Sequence, residues 1–452
     1  MISRGVLRIT KSDIVLLYTS IILALLLWLR PWDTWTNNER LQKQHPRLRQ
    51  TVFERSGTGG RWHIPSKWLE GGVDLPDGLN SSPKTVLDAA HLAFFLARSQ
   101  SRYIKNSSIP LILHQSWYSM APAFWPPLVR DYVESWLAVC AGGDIRNRDE
   151  MAYIIWDNIG MDIFVKDYEA AIWESYTALP MAVEQVDVFR VAVLRWFGGV
   201  YSDIDTKPLR HPVSWIESAD TEPWLDLSEN WSYSLSSAAS GPLYPPPSDS
   251  RPFYSMLYQN STFLSSESPG VGAIVGLEAD LPPDGDKFWR AGYEYPVQIT
   301  QWTLALAPHH PISSRFVSAV DKDIKKLQIQ DRLRDAYAVD LTGPVQFTRV
   351  IKEWLEFVAG LRWNALTGLQ DGGRTKIVND VLILPITGFS PGRGRLNNMG
   401  SKSVTDHSAR ILHGFQGSWE GSSDLVPEVG KMCRTLFGKC RTVSKTPTLD
   451  IR

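Results

Sequence analysis

The chain has 452 residues, 43% of them apolar and 21% charged, which is ordinary for a globular enzyme with a sizeable core. Its formal net charge is −1, with no one-sided excess of Lys and Arg, so nothing points to a nucleic-acid partner. Three cysteines, Cys140, Cys433 and Cys440, exclude a disulfide framework and a zinc ribbon. Cys433 and Cys440 can pair across a short loop in an oxidising lumen or stay as free thiols. Tryptophan, at 19 residues, leans slightly toward carbohydrate work because flat apolar rings suit sugar faces; a Trp-rich core accounts for it as well.

In chain order, the first element is an apolar run from Ile14 to Leu29, 16 residues long. As a helix it spans about 24 Å, short for an average bilayer and suited to a thinner membrane of the early secretory pathway. Arg4, Arg8 and Lys11 precede it, and Trp28 and Trp32 fall where an interface belt sits. The continuation LLLWLRPW offers no small residues for cleavage. Residues 1–13 are therefore expected as a cytosolic tail, 14–30 as a transmembrane signal-anchor and 31–108 as a stem with a helical patch from Val86 to Arg98. Arg30, Arg40, Lys43, Arg47 and Arg49 on the far side leave the positive-inside rule only weak support for this orientation. Sequons at Asn80, Asn106, Asn230 and Asn260 agree with a lumenal body.

The catalytic body is expected over 109–437, with a frayed polar tail over 438–452. Pro110 opens a short apolar run, Leu111 to Leu113, that suits a buried parallel strand. Helical and strand signals then alternate, as in an α/β layered fold. The Ser- and Pro-rich stretch 232–250 reads as a surface loop.

The densest signal is Ala182 to Pro208, AVEQVDVFRVAVLRWFGGVYSDIDTKP. Val183 to Phe197 reads as a largely buried helix whose conspicuous polar members, Asp187 and Arg190, share a face at i, i+3. A charge on such a helix is costly unless paired or ligand-bound. Gly198-Gly199 can stop it with a left-handed cap. Val200-Tyr201 then forms a short strand, and Asp203 and Asp205 follow at its carboxyl end, where open α/β sheets put their ligands. Paired carboxylates there suit Mn²⁺ or Mg²⁺ and the diphosphate of a nucleotide. A D-x-D alone is most often a solvated turn; the preceding Asp-x-x-Arg helix and Gly-Gly make this one specific. A D-x-D-x-[TV] phosphohydrolase is disfavoured, because Lys207 stands where Thr or Val is required.

Asp187, Arg190, Gly198-Gly199, Tyr201, Asp203 and Asp205 together resemble the sugar-binding region of the D-x-D glycosyltransferases of family 32. IPLILHQSW at 109–117 is similar to the opening strand of that family. Further segments narrow the resemblance to the fungal initiation-specific alpha-1,6-mannosyltransferases: Ile274 to Asp280, Gln298 to Thr303, Pro308 to Pro311, Thr342 to Pro344, Val381 to Ile386, Phe389 to Pro391, His413, and Gly417 to Trp419. The resemblance covers about 109–419. It implies an α/β GT-A nucleotide-sugar-binding fold, a single Rossmann-like mixed sheet flanked by helices. It also implies GDP-mannose as donor, Mn²⁺ (or Mg²⁺) as cofactor, retention of configuration and a type II Golgi membrane protein acting on glycan acceptors.

Carried over residue by residue, the resemblance makes Asp203, Asp205 and Arg190 the catalytic set and Asp205, Asp203 and His413 the metal set. Trp117, Asp187, Arg190, Asp203, Ser418 and Trp419 become the donor set; Glu278, Asp280, Gln298, Gln301 and Trp302 become the acceptor set. Structural readings stand beside these: a core aromatic for Trp117, a loop histidine for His413, an ion pair for Asp187 and Arg190, and strand capping for Glu278 and Asp280. Other readings of the whole are a family 32 transferase acting on a lipid or cell-wall acceptor, and a non-catalytic subunit of a Golgi mannosyltransferase complex.

Overall fold

Fourteen strands are formed among the described residues: β1 (Ser56–Gly57), β2 (Gly60–His63), β3 (Ile112–Ser116), β4 (Ala152–Trp156), β5 (Gly199–Ser202), β6 (Thr206–Pro208), β7 (Trp224–Asp226), β8 (Trp231–Tyr233), β9 (Ala273–Asp280), β10 (Val297–Ile299), β11 (Thr303–Leu306), β12 (Lys376–Val378), β13 (Val381–Leu384) and β14 (Ile411–His413). The structure is a computed structural model and describes residues 44–48, 56–70, 75–76, 79–142, 149–226, 228–235, 270–284, 287–392 and 397–415. The expected signal-anchor 14–30, the cytosolic tail, Ser418, Trp419, Cys433, Cys440 and the tail 438–452 lie outside these residues. Among the described residues no helix is long and apolar enough to cross a membrane.

Ten strands form one mixed sheet in the order β1-β2-β4-β3-β5-β11-β9-β13-β12, with β10 beside β9. β4, β3 and β5 run parallel, as do β9 and β13. β11 is antiparallel to both β5 and β9, so these five strands all point the same way. Their continuous apolar runs follow from burial on both faces: β3, β4, β5 and β13 are buried at every residue.

The main helices are α1 (Val86–Ser99), α2 (Pro127–Cys140), α3 (Asn158–Tyr168), α4 (Ala182–Phe197), α5 (Pro311–Ile329) and α6 (Pro344–Ala359). α1 begins with a capping box, Thr85 Oγ1 accepting from Asp88 N at 3.0 Å and Asp88 Oδ2 accepting from Thr85 N at 3.1 Å. It buries Ala89, Leu92, Ala93, Phe94 and Leu96. β2 pairs with β4 over Gly60–His63. Residues 56–63 and 86–99 are therefore part of the folded body, which corrects the expected stem through 108.

α4 is buried along most of its length, as its unbroken apolar sequence requires. It ends at Gly198, φ 62° and ψ −164°, and Gly199 follows at φ 97°. This is a glycine-only conformation rather than the expected left-handed helical cap. The pair is also sterically required: a Cβ at Gly199 would lie 2.4 Å from the Ile112 carbonyl oxygen. The tight turn folds α4 back along β5, which brings the start of the helix to the carboxyl edge of the sheet.

The Ser/Pro-rich stretch differs from expectation at its described start. Ser232 and Tyr233 belong to β8, paired with β7. Leu235, the last described residue of the stretch, bridges Asn379 just before β13, at the amino-terminal edge of the sheet. That residue thus lies opposite the edge that carries the Asp pair.

Candidate active site

The turn after β5 is pinned from three directions. Asp203 N donates to Trp302 O at 2.8 Å, Gln115 Nε2 donates to Asp203 O at 3.0 Å, and Thr206 Oγ1 donates to the same oxygen at 2.6 Å. Gln115 is held in turn by the Tyr153 hydroxyl. The carboxylates of Asp203 and Asp205 therefore leave a backbone that is not free to reorganise.

β14 pairs antiparallel with β6, setting His413 opposite Thr206. Gly414 N donates to Asp205 O at 2.7 Å, and His413 Nε2 stands 3.1 Å from Asp205 Oδ1. Asp203, Asp205 and His413 each offer a ligand atom within 4.8 Å of the others, all three half-buried. The His413 ring is stacked on Trp302, centroids 4.2 Å apart and planes 5° from parallel, with Phe415 edge-on at 4.1 Å. Two carboxylates and one imidazole fit a divalent ion; an imidazole is better suited to Mn²⁺ than to Mg²⁺, which keeps to oxygen donors.

Behind this cluster lies a buried charge chain. Arg190, 6% exposed, places Nη1 3.1 Å from Asp187 Oδ1 and Nη2 3.1 Å from Asp203 Oδ1. Its guanidinium also lies 5.4 Å from the Tyr201 ring centroid. Asp187 Oδ2 accepts from Thr342 Oγ1 at 2.9 Å, and Gln301 Nε2 ties the Thr342 carbonyl at 2.9 Å to the Asp187 carbonyl at 3.3 Å. Burial pushes the Asp187 carboxyl up to about 6, against the pull of Arg190 and Thr342. Burial also raises Asp203, opposed by Arg190 and reinforced by Asp205. Burial works against the Arg190 charge, but Asp203 and Asp187 outweigh it and hold the group protonated. With every carboxylate ionised, Asp187, Asp203 and Asp205 against Arg190 leave a charge of −2, which one divalent ion cancels.

The remaining expected residues divide. Trp117 sits half-buried past the end of β3, its amide bound to Trp156 O at 2.9 Å and its ring 4.7 Å from Tyr118. Its indole Nε1 is buried without a hydrogen-bond partner, as is Trp302 Nε1, so both have a donor to offer a ligand. Glu278 is half-buried on β9 and accepts from Gln298 Nε2 at 3.2 Å, while Gln298 Oε1 accepts from Glu294 N at 3.1 Å.

Two of the expected acceptor residues lie inside the fold. Asp280 is 2% exposed, and its oxygens accept from Thr367 Oγ1 at 2.6 Å and Gly368 N at 2.7 Å, so it fastens a loop. Gln301 is fully buried and supports Asp187 rather than a surface. Sequence reading missed Gln115 as a brace and Thr342 as an Asp187 partner; Thr342-Gly-Pro entered only as one of the segments carrying the family resemblance. It also missed Glu184, fully buried one turn before Asp187. Glu184 Oε2 accepts from Met181 N at 3.0 Å, Oε1 has no hydrogen-bond partner, and burial pushes its carboxyl up to about 7.

A large mixed sheet carries a D-x-D pair at its carboxyl edge, backed by Asp-x-x-Arg, an arrangement suited to a divalent ion beside a buried cation. Residues 126–235, which hold Asp187, Arg190, Asp203 and Asp205, match the family model described as the glycosyltransferase sugar-binding region containing a DXD motif. Over 252 residues the chain is 33% identical to the initiation-specific alpha-1,6-mannosyltransferase of Schizosaccharomyces pombe, covering 55% of this chain and 50% of that one. The chain thus spans half the length of that relative. It is 25% identical over 393 residues to the initiation-specific alpha-1,6-mannosyltransferase of Candida albicans, covering 81% and 85% of the two chains. Among solved structures, the PaToxG glycosyltransferase aligns at 12% identity and a TM-score of 0.31, over 62% of this chain and 80% of that one.

Proposed function

We propose that this chain is a Golgi-membrane mannosyltransferase with a GT-A type sheet. It moves mannose from GDP-mannose to a mannose-containing acceptor with retention of configuration, forming an alpha-1,6 linkage on N-linked glycan cores. The observation that carries the reading is the unbroken chain Asp187–Arg190–Asp203 running into the Asp203, Asp205 and His413 cluster. The names of the relatives support mannose as the sugar.

Asp203, Asp205 and His413 would hold a divalent ion, which supplies charge neutralisation for the departing diphosphate. Arg190 would add a fixed positive charge for the diphosphate, and Asp187, whose oxygens already meet Arg190 and Thr342, would turn its remaining lone pairs to donor sugar hydroxyls. The Trp117 indole N–H is available to the nucleotide. The bond from the anomeric carbon to the diphosphate oxygen breaks as the acceptor oxygen bonds to that carbon on the same face. The acceptor proton passes to the departing diphosphate oxygen, so no protein base is required. A donor screen with GDP-mannose, UDP-glucose and UDP-galactose, with and without Mn²⁺, tests the reading. Transfer from GDP-mannose that needs Mn²⁺ is expected; turnover of none of the three refutes it and favours a non-catalytic subunit.

A further inference from the structure

A groove of 440 Å³ lies away from the Asp pair, lined by Phe288, Tyr295, Trp363, Lys352, Glu356 and Asn364, with Arg362 and two prolines completing its wall. One of the prolines, Pro283, follows the end of β9, and the other, Pro296, precedes β10. Lys352 and Glu356 come from α6, and 362–364 from the chain just after it. The groove therefore opens beyond the same carboxyl edge that carries Asp203 and Asp205. β9 is two strand positions from β5, roughly 10 Å sideways, and the run past its paired segment adds roughly 20 Å along the strand. That separation suits a ligand several sugar units long, with its reacting end at the Asp pair.

The groove's charges identify what it takes. Lys352 is paired with Glu356 at 2.7 Å, and Arg362 is bound to Asp226 through Nη2 at 2.6 Å and Nε at 2.7 Å. Both cations in the wall are neutralised by their own carboxylates, so a phosphate or an acidic peptide finds no unspent positive charge. The aromatic members supply apolar faces, and Trp363 is anchored by Nε1 to the Val297 carbonyl at 2.8 Å. Polar groups remain to be used: among the described residues the side chains of Tyr295 and Asn364 have no hydrogen-bond partner in the protein. Burial pushes the Tyr295 phenol up to about 12, so at neutral pH it is a protonated donor. Aromatic faces, an amide and a phenol in a charge-compensated trough match a neutral polyhydroxy chain.

We propose that this groove is a second glycan subsite, holding a neutral oligomannose arm of the acceptor remote from the reacting hydroxyl. The proposal rests on the mannosyltransferase reading, and two measurements keep the two apart. The first is direct binding of a free oligomannose glycan to the full chain by calorimetry, without donor or metal. The wild type should bind it, with at least tenfold weaker binding in Tyr295→Ala and in Asn364→Ala. Equal binding by the wild type and both variants overturns the subsite, whatever the enzyme turns over. The second compares transfer to that glycan with transfer to methyl mannoside. Tyr295→Ala should raise KM for the glycan about tenfold and leave kcat and methyl mannoside transfer unchanged. An equal fall for both acceptors overturns the subsite, because a merely structural role would produce it. A wild type that binds the glycan but transfers to neither acceptor would count against the enzymatic reading alone.

Discussion

Replacing Arg190 with Gln removes the one cation that bridges Asp187 and Asp203, two carboxylates it meets at 3.1 Å each. Asp187 and Arg190 are 5% and 6% exposed, so water cannot take over the lost charge. Removing one partner of a buried ion pair costs about 3–5 kcal/mol. The loss should be smaller at low pH, because Asp187 already titrates near 6 and rises further without Arg190. A second change, Asp187→Asn, removes the orphaned charge while its amide can still meet Thr342. The double variant should therefore be more stable than Arg190→Gln alone by about 1–2 kcal/mol at pH 7.5. Urea unfolding of the wild type, both single variants and the double variant, at pH 5 and pH 7.5, measures all of this. Strictly additive single losses at both pH values would refute the coupling and leave Asp187 and Arg190 as independent surface-like charges. Activity should be lost in all three variants, so stability is the informative readout.

Asp205→Asn and His413→Ala should each weaken Mn²⁺ binding by about 10–100-fold with unfolding unchanged within about 1 kcal/mol, read by calorimetry with Mn²⁺ alone. Trp302→Leu removes the ring stacked on His413 at 4.2 Å and should weaken the same binding by a smaller factor; unchanged affinity would show that the stack does not orient the imidazole. Glu184 bears on pH dependence. Its folded pKa, about 7, is raised above its ordinary value of 4.5, so its contribution is most favourable at low pH and is lost as pH rises toward 7. Between pH 5 and pH 8 the wild type should lose about 2.5 kcal/mol relative to Glu184→Gln, whose amide oxygen can keep the Met181 N–H bond. Parallel stability profiles for the two proteins would contradict this. Gly199→Ala should cost at least about 3 kcal/mol or abolish soluble folding, since φ is 97° and the new Cβ meets the Ile112 carbonyl; a tolerated alanine would mean that the α4–β5 turn is not as tight as described.

Much of the site was legible in the sequence because it is local. Asp187 and Arg190 are three residues apart on one helix, and Gly198-Gly199 mark a turn that only glycine can make. Asp203 and Asp205 follow the strand that this turn starts, so one stretch of about three turns of helix, a hinge and a strand carries both halves of the charge chain. The apolar run Leu111 to Leu113 likewise announces a strand buried on both faces. Other assignments depended on residues far apart in the chain. Nothing near Asp280 signals that Thr367 and Gly368 take both its oxygens, and nothing near Gln301 signals Thr342. The fold of residues 56–63 was equally hidden, because a four-residue strand gains its stability only by pairing, here with β4.

What the sequence determined by itself was therefore local: a carboxylate pair two residues apart, the charged helix before it and the alternating α/β order. Tertiary structure decided which polar residues face a ligand and which are consumed inside the fold. It carried His413 to Asp205 through the β14–β6 pairing, and it set Leu235 at the opposite edge of the sheet. The physical reason is that residue type and local spacing set what a side chain can do. Only long-range hydrogen bonds and burial determine whether its polar atoms are already spent.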